Sequence, residues 1–360
     1  MHNFKKIILH TALLIFFVTI ILICSTLPYF WGESYYYQDY KVRTSLSGKL
    51  DTLVIGSSHA LRSIKPTVLN EKLNTKAYNL SSPLMSMYGR YVMLEKEINR
   101  NPVKTVYLEI SYNALTLDRK TLGLEGDLYV LGRFDNVFER INFFTNAFTP
   151  EEYRKVLSDI IVRSKNSFSI HNTIEQYKTF GYLSMPSNNQ LLSDEVKEKV
   201  KNTKVLDTKI KEESLNYFDK IIKLCKENDI RVILVVTPVT ERMILEYSNL
   251  DDIFSQYIDL AKEYNCEYYD FNLDKNRMKL YSEESSFYDN THMSDSGAEI
   301  FSNRLTEIIE DVDRGNNVSN YFLNSYTELK KFYNIIKIKM SMKKWVKPLI
   351  LMGMVMQVKE

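Results

Sequence analysis

Val54-Ile55-Gly56-Ser57-Ser58-His59 reads as a β-strand that runs straight into a glycine and two serines before a helical segment. In open α/β sheets the active crevice lies outside the carboxyl ends of the strands. A glycine there lets the backbone turn tightly enough to expose the next side chain. Taken alone, Gly-Ser-Ser is also an ordinary turn or helix cap. Working outward, short β-branched runs alternate with amphipathic helical patterns, the signature of a parallel sheet with crossover helices. Five strands are expected, at Thr52–Ile55, Lys76–Leu80, Lys104–Ile110, Arg231–Val236 and Glu267–Phe271. The near-continuous apolar run Val232–Val236 suits a strand covered on both faces. Helices are expected at Thr67–Leu73, Ser86–Asn99, Lys211–Glu227, Leu250–Tyr264 and Ser296–Glu310. The stripe of Tyr217, Phe218, Ile221, Ile222 and Leu224 is core packing at helical spacing.

At the far end, Phe287-Tyr288-Asp289-Asn290-Thr291-His292 precedes Met293-Ser294-Asp295-Ser296-Gly297-Ala298 and a helix. A serine hydroxyl is a poor nucleophile at neutral pH. It needs an imidazole to take its proton, and that imidazole needs a carboxylate to hold its tautomer. One short loop can deliver both Asp289 and His292, which makes Ser58, Asp289 and His292 the candidate catalytic set. Beyond the first 32 residues the remaining histidines are His59 and His171. His171 sits among Ser167, Ser169 and Asn172 and reads as surface. His59 adjoins Ser58, so its side chain should diverge from the nucleophile, toward helix packing or substrate.

These residues resemble the SGNH, or GDSL-like, hydrolase superfamily over roughly residues 50–310, excluding an insertion. In that family the block I serine follows Gly-Asp, here Gly56-Ser57, and the block V pair is Asp-x-x-His, here Asp289 and His292. The resemblance implies a three-layer α/β/α flavodoxin-like fold with a five-stranded parallel sheet, and Ser58 rather than Ser57 as nucleophile. Serine in place of the block I Asp resembles the membrane-anchored branch, such as the DltD-type teichoic-acid D-alanylation proteins and the proteins of polysaccharide O-acetylation. Such proteins work beside a multi-span membrane acyltransferase, which is the partner implied here. The family's oxyanion hole uses the serine N–H, a block II Gly and a block III Asn. Asn113, in Glu109-Ile110-Ser111-Tyr112-Asn113, fits block III, or else caps a strand-end turn. Asn79-Leu80-Ser81-Ser82-Pro83 lacks the block II Gly, so a backbone N–H near Ser81 or Ser82 would have to serve.

Lys5 and Lys6 precede an uncharged run from Ile7 to Gly32. A bilayer span needs about 20 mostly apolar residues and a secretory signal core only about 7–15, so an uncleaved transmembrane anchor is expected over residues 1–32. The flanking charges place the N-terminus in the cytoplasm and the catalytic domain outside. Residues 33–50 read as a connector and 51–312 as the SGNH-like domain, with a helical insertion over 115–207. That insertion is expected to be a lid or substrate platform, or else a structural cap. Residues 313–360 read as a basic amphipathic tail: Lys330, Lys331, Lys337, Lys339, Lys343, Lys344 and Lys347 alternate with apolar residues and Trp345, a pattern that suits an anionic membrane surface, or else an incidental, disordered end.

The 360 residues are 44% hydrophobic and 26% charged with a net charge of +2, ordinary globular values that argue no acidic partner. No basic block interleaves with aromatics, so no nucleic acid is expected. Eleven glycines leave no phosphate loop, no His/Asp/Glu cluster has metal-ligand spacing, and no cofactor is expected. Cys225 and Cys266 could form one disulfide or stay as buried thiols, and Cys24 reads as a membrane-facing thiol. Two functions compete. One is an acyltransferase or esterase that works through a Ser58 acyl-enzyme on acyl groups of a cell-envelope glycan or teichoic polymer. The other is a membrane-tethered, non-catalytic scaffold or binding subunit of an acylation complex.

Overall fold

The computed structural model describes residues 2–30, 35–134, 136–159, 180–187 and 204–333. Five parallel strands form one sheet in the order β2-β1-β3-β4-β5, with β1 at Thr52–Ile55, β2 at Ala77–Asn79, β3 at Thr105–Glu109, β4 at Arg231–Val236 and β5 at Glu267–Asp270. Side chains alternate across each strand, and every face is apolar. Leu53, Ile55, Val106, Leu108, Val232 and Leu234 belong to one core, which the helices Met87–Ile98 and Glu212–Glu227 cover with Met93, Leu94, Phe218 and Ile221. Val54, Tyr107, Ile233 and Val235 belong to the other, covered by Leu69 of Pro66–Leu73 and by Phe301, Leu305 and Ile308 of Asp295–Asp313. Each such side chain, fully buried, contributes about 2 kcal/mol. The expected α/β class and five-stranded parallel sheet are thus present. The strand order reverses between β1 and β3, so the crevice lies above the carboxyl ends of those two strands.

Within the 115–207 insertion, the described residues form the helices Arg119–Leu122, Leu124–Leu131 and Val137–Ala147, with a further helical stretch over 153–159. Farther along, Phe180 O accepts from Asn79 N at 2.9 Å and Leu183 N donates to Leu61 O at 3.0 Å, so residues 180–183 cover the open edge of β2. Covering it removes a row of unpaired backbone groups. Gly181 has φ +85°, and a Cβ there would strike Asn79 O, so glycine is required at this crossing. His171 lies outside the described residues.

Two boundaries differ from expectation. The connector is helical over Tyr35–Ser45, and its Asp39 is buried against Arg43, Arg133 and Tyr78. Residues 317–333, expected to belong to the basic amphipathic tail, pack on the domain through the buried side chains of Val318, Tyr326, Leu329 and Tyr333; residues 334–360 lie outside the described residues. Within residues 1–32, where an anchor is expected, His2–Phe30 is helical. Among the described residues, however, no helix is long and apolar enough to cross a membrane. Cys225 and Cys266 are free thiols, and burial raises them to about 12 and about 11.

The C-terminal segment is tied down by polar groups. Asp270, buried at the end of β5, accepts from Tyr326 Oη at 2.7 Å and Asn272 N at 2.9 Å. Burial outweighs those bonds and raises its carboxyl from 3.8 to about 6. The folded protein therefore keeps a proton that the unfolded chain has lost. The stability linked to this group is fully present below pH 3.8 and is lost as pH rises through about 6. Asp270→Asn is expected to exceed the parent at neutral pH by on the order of 2 kcal/mol, an advantage that vanishes near pH 4. Urea unfolding at the two pH values measures it.

Candidate active site

The turn after β1 is built around a buried carboxylate. Ser57 caps the short helix Ser58–Leu61 by accepting from His59 N at 3.2 Å. Its own N–H and hydroxyl both donate to Glu109 Oε2, at 2.8 and 2.9 Å. Glu109, fully buried at the end of β3, also accepts Ser111 N at 2.6 Å on its other oxygen and has Arg90 at 3.6 Å. Burial would raise the Glu109 carboxyl, but Arg90 and the Ser57 and Ser111 donors hold it below its ordinary value. A Cβ at residue 56 would come within 2.6 Å of Glu109 Cβ, so Gly56 is what lets the nucleophile turn sit on this carboxylate. One side chain thereby fixes the turn bearing Ser58 to the turn bearing Asn113.

The loop that delivers Asp289 and His292 is closed by a bridge between buried Phe287 and Met293, with Tyr288 N donating to His292 O at 2.9 Å. Asp289 folds back on its own backbone, taking Thr291 N at 2.8 Å and His292 N at 2.9 Å on Oδ1. Such Asx turns are local and follow from the residue type. Asn290 O accepts from Thr240 N and Oγ1, at 3.1 and 2.9 Å, which pins the loop to the end of β4. Gly297 lets the following helix start against Ser286 O, which a Cβ would strike.

These constraints bring Ser58, His292 and Asp289 into one chain of hydrogen bonds. Asp289 Oδ2 lies 2.7 Å from His292 Nδ1, and His292 Nε2 lies 2.8 Å from Ser58 Oγ. A carboxylate can only accept, so Nδ1 carries the proton and the Nε2 lone pair faces the serine hydroxyl. Burial would raise the Asp289 carboxyl, but His292 and the backbone N–H groups hold it well below the usual range. The side chains of His292 and Asp289 remain 18% and 40% exposed, so the site is open to a ligand.

The other candidates divide. Asn113 Oδ1 accepts from Ser111 Oγ at 3.2 Å, and its amide NH₂ has no partner among the described residues. The Ser58 N–H is likewise free, as expected at the first position of a helix. Ser81 and Ser82 require a correction. Ser81 N donates to Asn79 Oδ1 at 3.0 Å and Ser82 N to Gly56 O at 3.2 Å, so neither N–H is available to an oxyanion. Their hydroxyls are buried without a partner. His59, expected to turn away from the nucleophile toward packing or substrate, is buried, and its ring lies 5.2 Å from that of His292. Its Nδ1 is 3.0 Å from Ser57 Oγ, and because that hydroxyl donates to Glu109, Nδ1 must be the donor. Burial lowers His59 to about 4, so it stays neutral. Sequence reasoning missed Glu109. Its signal was an acidic residue ending an otherwise apolar strand.

Among the described residues no group of three or more His, Cys, Asp or Glu side chains could hold a metal ion. No protein-family model matches the chain, and no curated protein matches it. Among solved structures it has a distant likeness to a crystal structure described as "a putative acylhydrolase" from Bacteroides fragilis, with a TM-score of 0.36 and 10% identity over 76% of this chain and 94% of that one.

Proposed function

We propose that this protein is a membrane-anchored, extracytoplasmic serine acyltransferase or esterase of the SGNH type. Its substrates are acyl groups on a cell-envelope polysaccharide or teichoic polymer. The observation that carries the reading is the continuous chain from Asp289 through His292 to Ser58 Oγ. In the first half-reaction Ser58 Oγ attacks the acyl carbonyl while its proton passes to His292 Nε2, and Asp289 stabilises the imidazolium. The Ser58 N–H and the Asn113 amide would donate to the developing oxyanion. Collapse breaks the bond to the leaving alcohol, which takes the proton back and leaves an ester on Ser58. Water or an acceptor hydroxyl then repeats the sequence in reverse.

The anchor and the outward orientation rest on Lys5, Lys6 and the apolar run after them. A specific observation keeps the scaffold reading in view: with Ser81 N and Ser82 N engaged, the oxyanion site has two donors rather than three. Cells carrying the triple variant Ser58→Ala/Asp289→Ala/His292→Ala separate the two. The enzyme reading expects polymer acylation to be lost while the protein remains sensitive to protease on intact cells. Normal acylation by that variant would establish the scaffold, and protection of the domain from protease would overturn the orientation.

A further inference from the structure

We propose that the edge of the sheet bearing Ser58 is the face this protein turns toward a lipid bilayer, an inference that rests on the anchored reading of the N-terminus. Both ends of the described domain meet the rest of the chain at that edge. On the N-terminal side, Arg133 donates to Leu80 O and Ser81 O at the carboxyl end of β2 and to Asp39 at 2.8 Å. From Asp39 the helix Tyr35–Ser45 runs away from the edge, because Gly48 N next bonds Arg100 O and Asn101 Oδ1, ahead of β3. The segment preceding Asp39 therefore arrives from the catalytic side.

On the C-terminal side, Arg277 donates to Tyr333 Oη at 2.7 Å and also to Val239 O, just past β4. Lys330 Nζ donates to Tyr247 O at 2.5 Å. Tyr247 packs on Tyr112, Tyr112 on His59, and His59 on His292, at ring separations of 6.0, 6.2 and 5.2 Å. The described chain thus ends, at Tyr333, on the side of the sheet where the strands have their carboxyl ends, and the 27 residues that follow in the sequence carry Lys337, Lys339, Lys343, Lys344, Lys347 and Trp345.

The kind of partner follows from the two attachments. Every side chain from Phe4 to Thr19 is exposed, including Phe4, Ile7, Ile8, Leu9, Leu13, Leu14, Phe16 and Phe17. Apart from His10 and Thr11, the exposed stretch from Ile7 to Val18 is apolar on every side, and such a surface suits an apolar medium better than a groove that would cover one stripe. Lysines interleaved with apolar residues add attraction to anionic headgroups. With lipid-seeking segments joined to one edge of the sheet, that edge is drawn to the surface.

The test uses the full chain with Cys24→Ser and Cys266→Ser. It carries one fluorophore, either at Leu84→Cys beside Ser82 or at exposed Ser47→Cys on the opposite edge. At 3.3 Å per residue the strand β3 alone sets the edges roughly 16 Å apart. Vesicles of phosphatidylcholine and phosphatidylglycerol bear nitroxide headgroups. The expected result is several-fold stronger quenching at residue 84 than at residue 47. Equal quenching, or stronger quenching at 47, in protein that floats with the vesicles overturns this inference and leaves the Ser58 chemistry untouched. Protein that does not float with vesicles overturns the anchored reading and this inference together. Phosphonate labelling of Ser58 in both variants reports that each remains folded.

Discussion

Ser58→Ala is expected to lower acyl turnover by on the order of 10⁴-fold or more, while leaving the domain folded. In barrier terms that is about 5 kcal/mol, more than any single binding contact supplies. The size follows from the hydrogen-bonded unit: Ser58 Oγ is activated by His292 Nε2, and His292 is held in the required tautomer by Asp289. His292→Ala should cost nearly as much, and Asp289→Ala somewhat less. Combining the three should add little, because each removal already disables the others. Ser57→Ala should lose far less, since that hydroxyl caps a helix and bonds Glu109 and does not face the base. His59→Ala should preserve the chemical step even where binding weakens. Single-turnover kinetics on an activated ester, with circular dichroism as the folding control, measure all of these.

The second large effect is expected at Glu109. Glu109→Ala strands the buried Arg90 guanidinium and leaves the N–H groups of Ser57 and Ser111 without acceptors. Breaking a buried charge pair by removing one partner costs about 3–5 kcal/mol. That variant should unfold at much lower urea concentration than the parent. Glu109→Gln also removes the charge opposite Arg90 but keeps an oxygen for one of the two N–H groups, so it should be destabilised less than Glu109→Ala and remain folded. Its signature should be a lowered kcat with little change in KM, because the carboxylate aligns the Ser58 and Asn113 turns and touches no substrate. A Glu109→Gln enzyme with parental kcat would reduce Glu109 to a packing role.

How much was legible in advance depends on the range of the interactions. Thr52–Ile55, Arg231–Val236 and Leu250–Tyr264 coincide with their expected limits because local pattern and burial agree there. The same holds for the loop holding Asp289 and His292, whose geometry comes from an Asx turn four residues long. The engagement of Ser81 N and Ser82 N was not legible, since their acceptors, Asn79 Oδ1 and Gly56 O, are set by how β1 and β2 meet. Glu109 was hidden for a related reason: its partners Ser57 and Arg90 are 52 and 19 residues away. Residues 317–333 were read with the tail because Lys330 and Lys331 begin the lysine pattern that continues to Lys347, whereas Tyr326 and Tyr333 secure them to Asp270 and Arg277.

The most direct test of the account is covalent. The full-length protein in detergent is treated with a serine-directed fluorophosphonate, digested and mapped by mass spectrometry, alongside Ser57→Ala, Ser58→Ala and His292→Ala. The account predicts the label on Ser58 in the parent and in Ser57→Ala, and almost none in Ser58→Ala or His292→Ala. Labelling at Ser57, or a label on Ser58 that persists undiminished without His292, would contradict it.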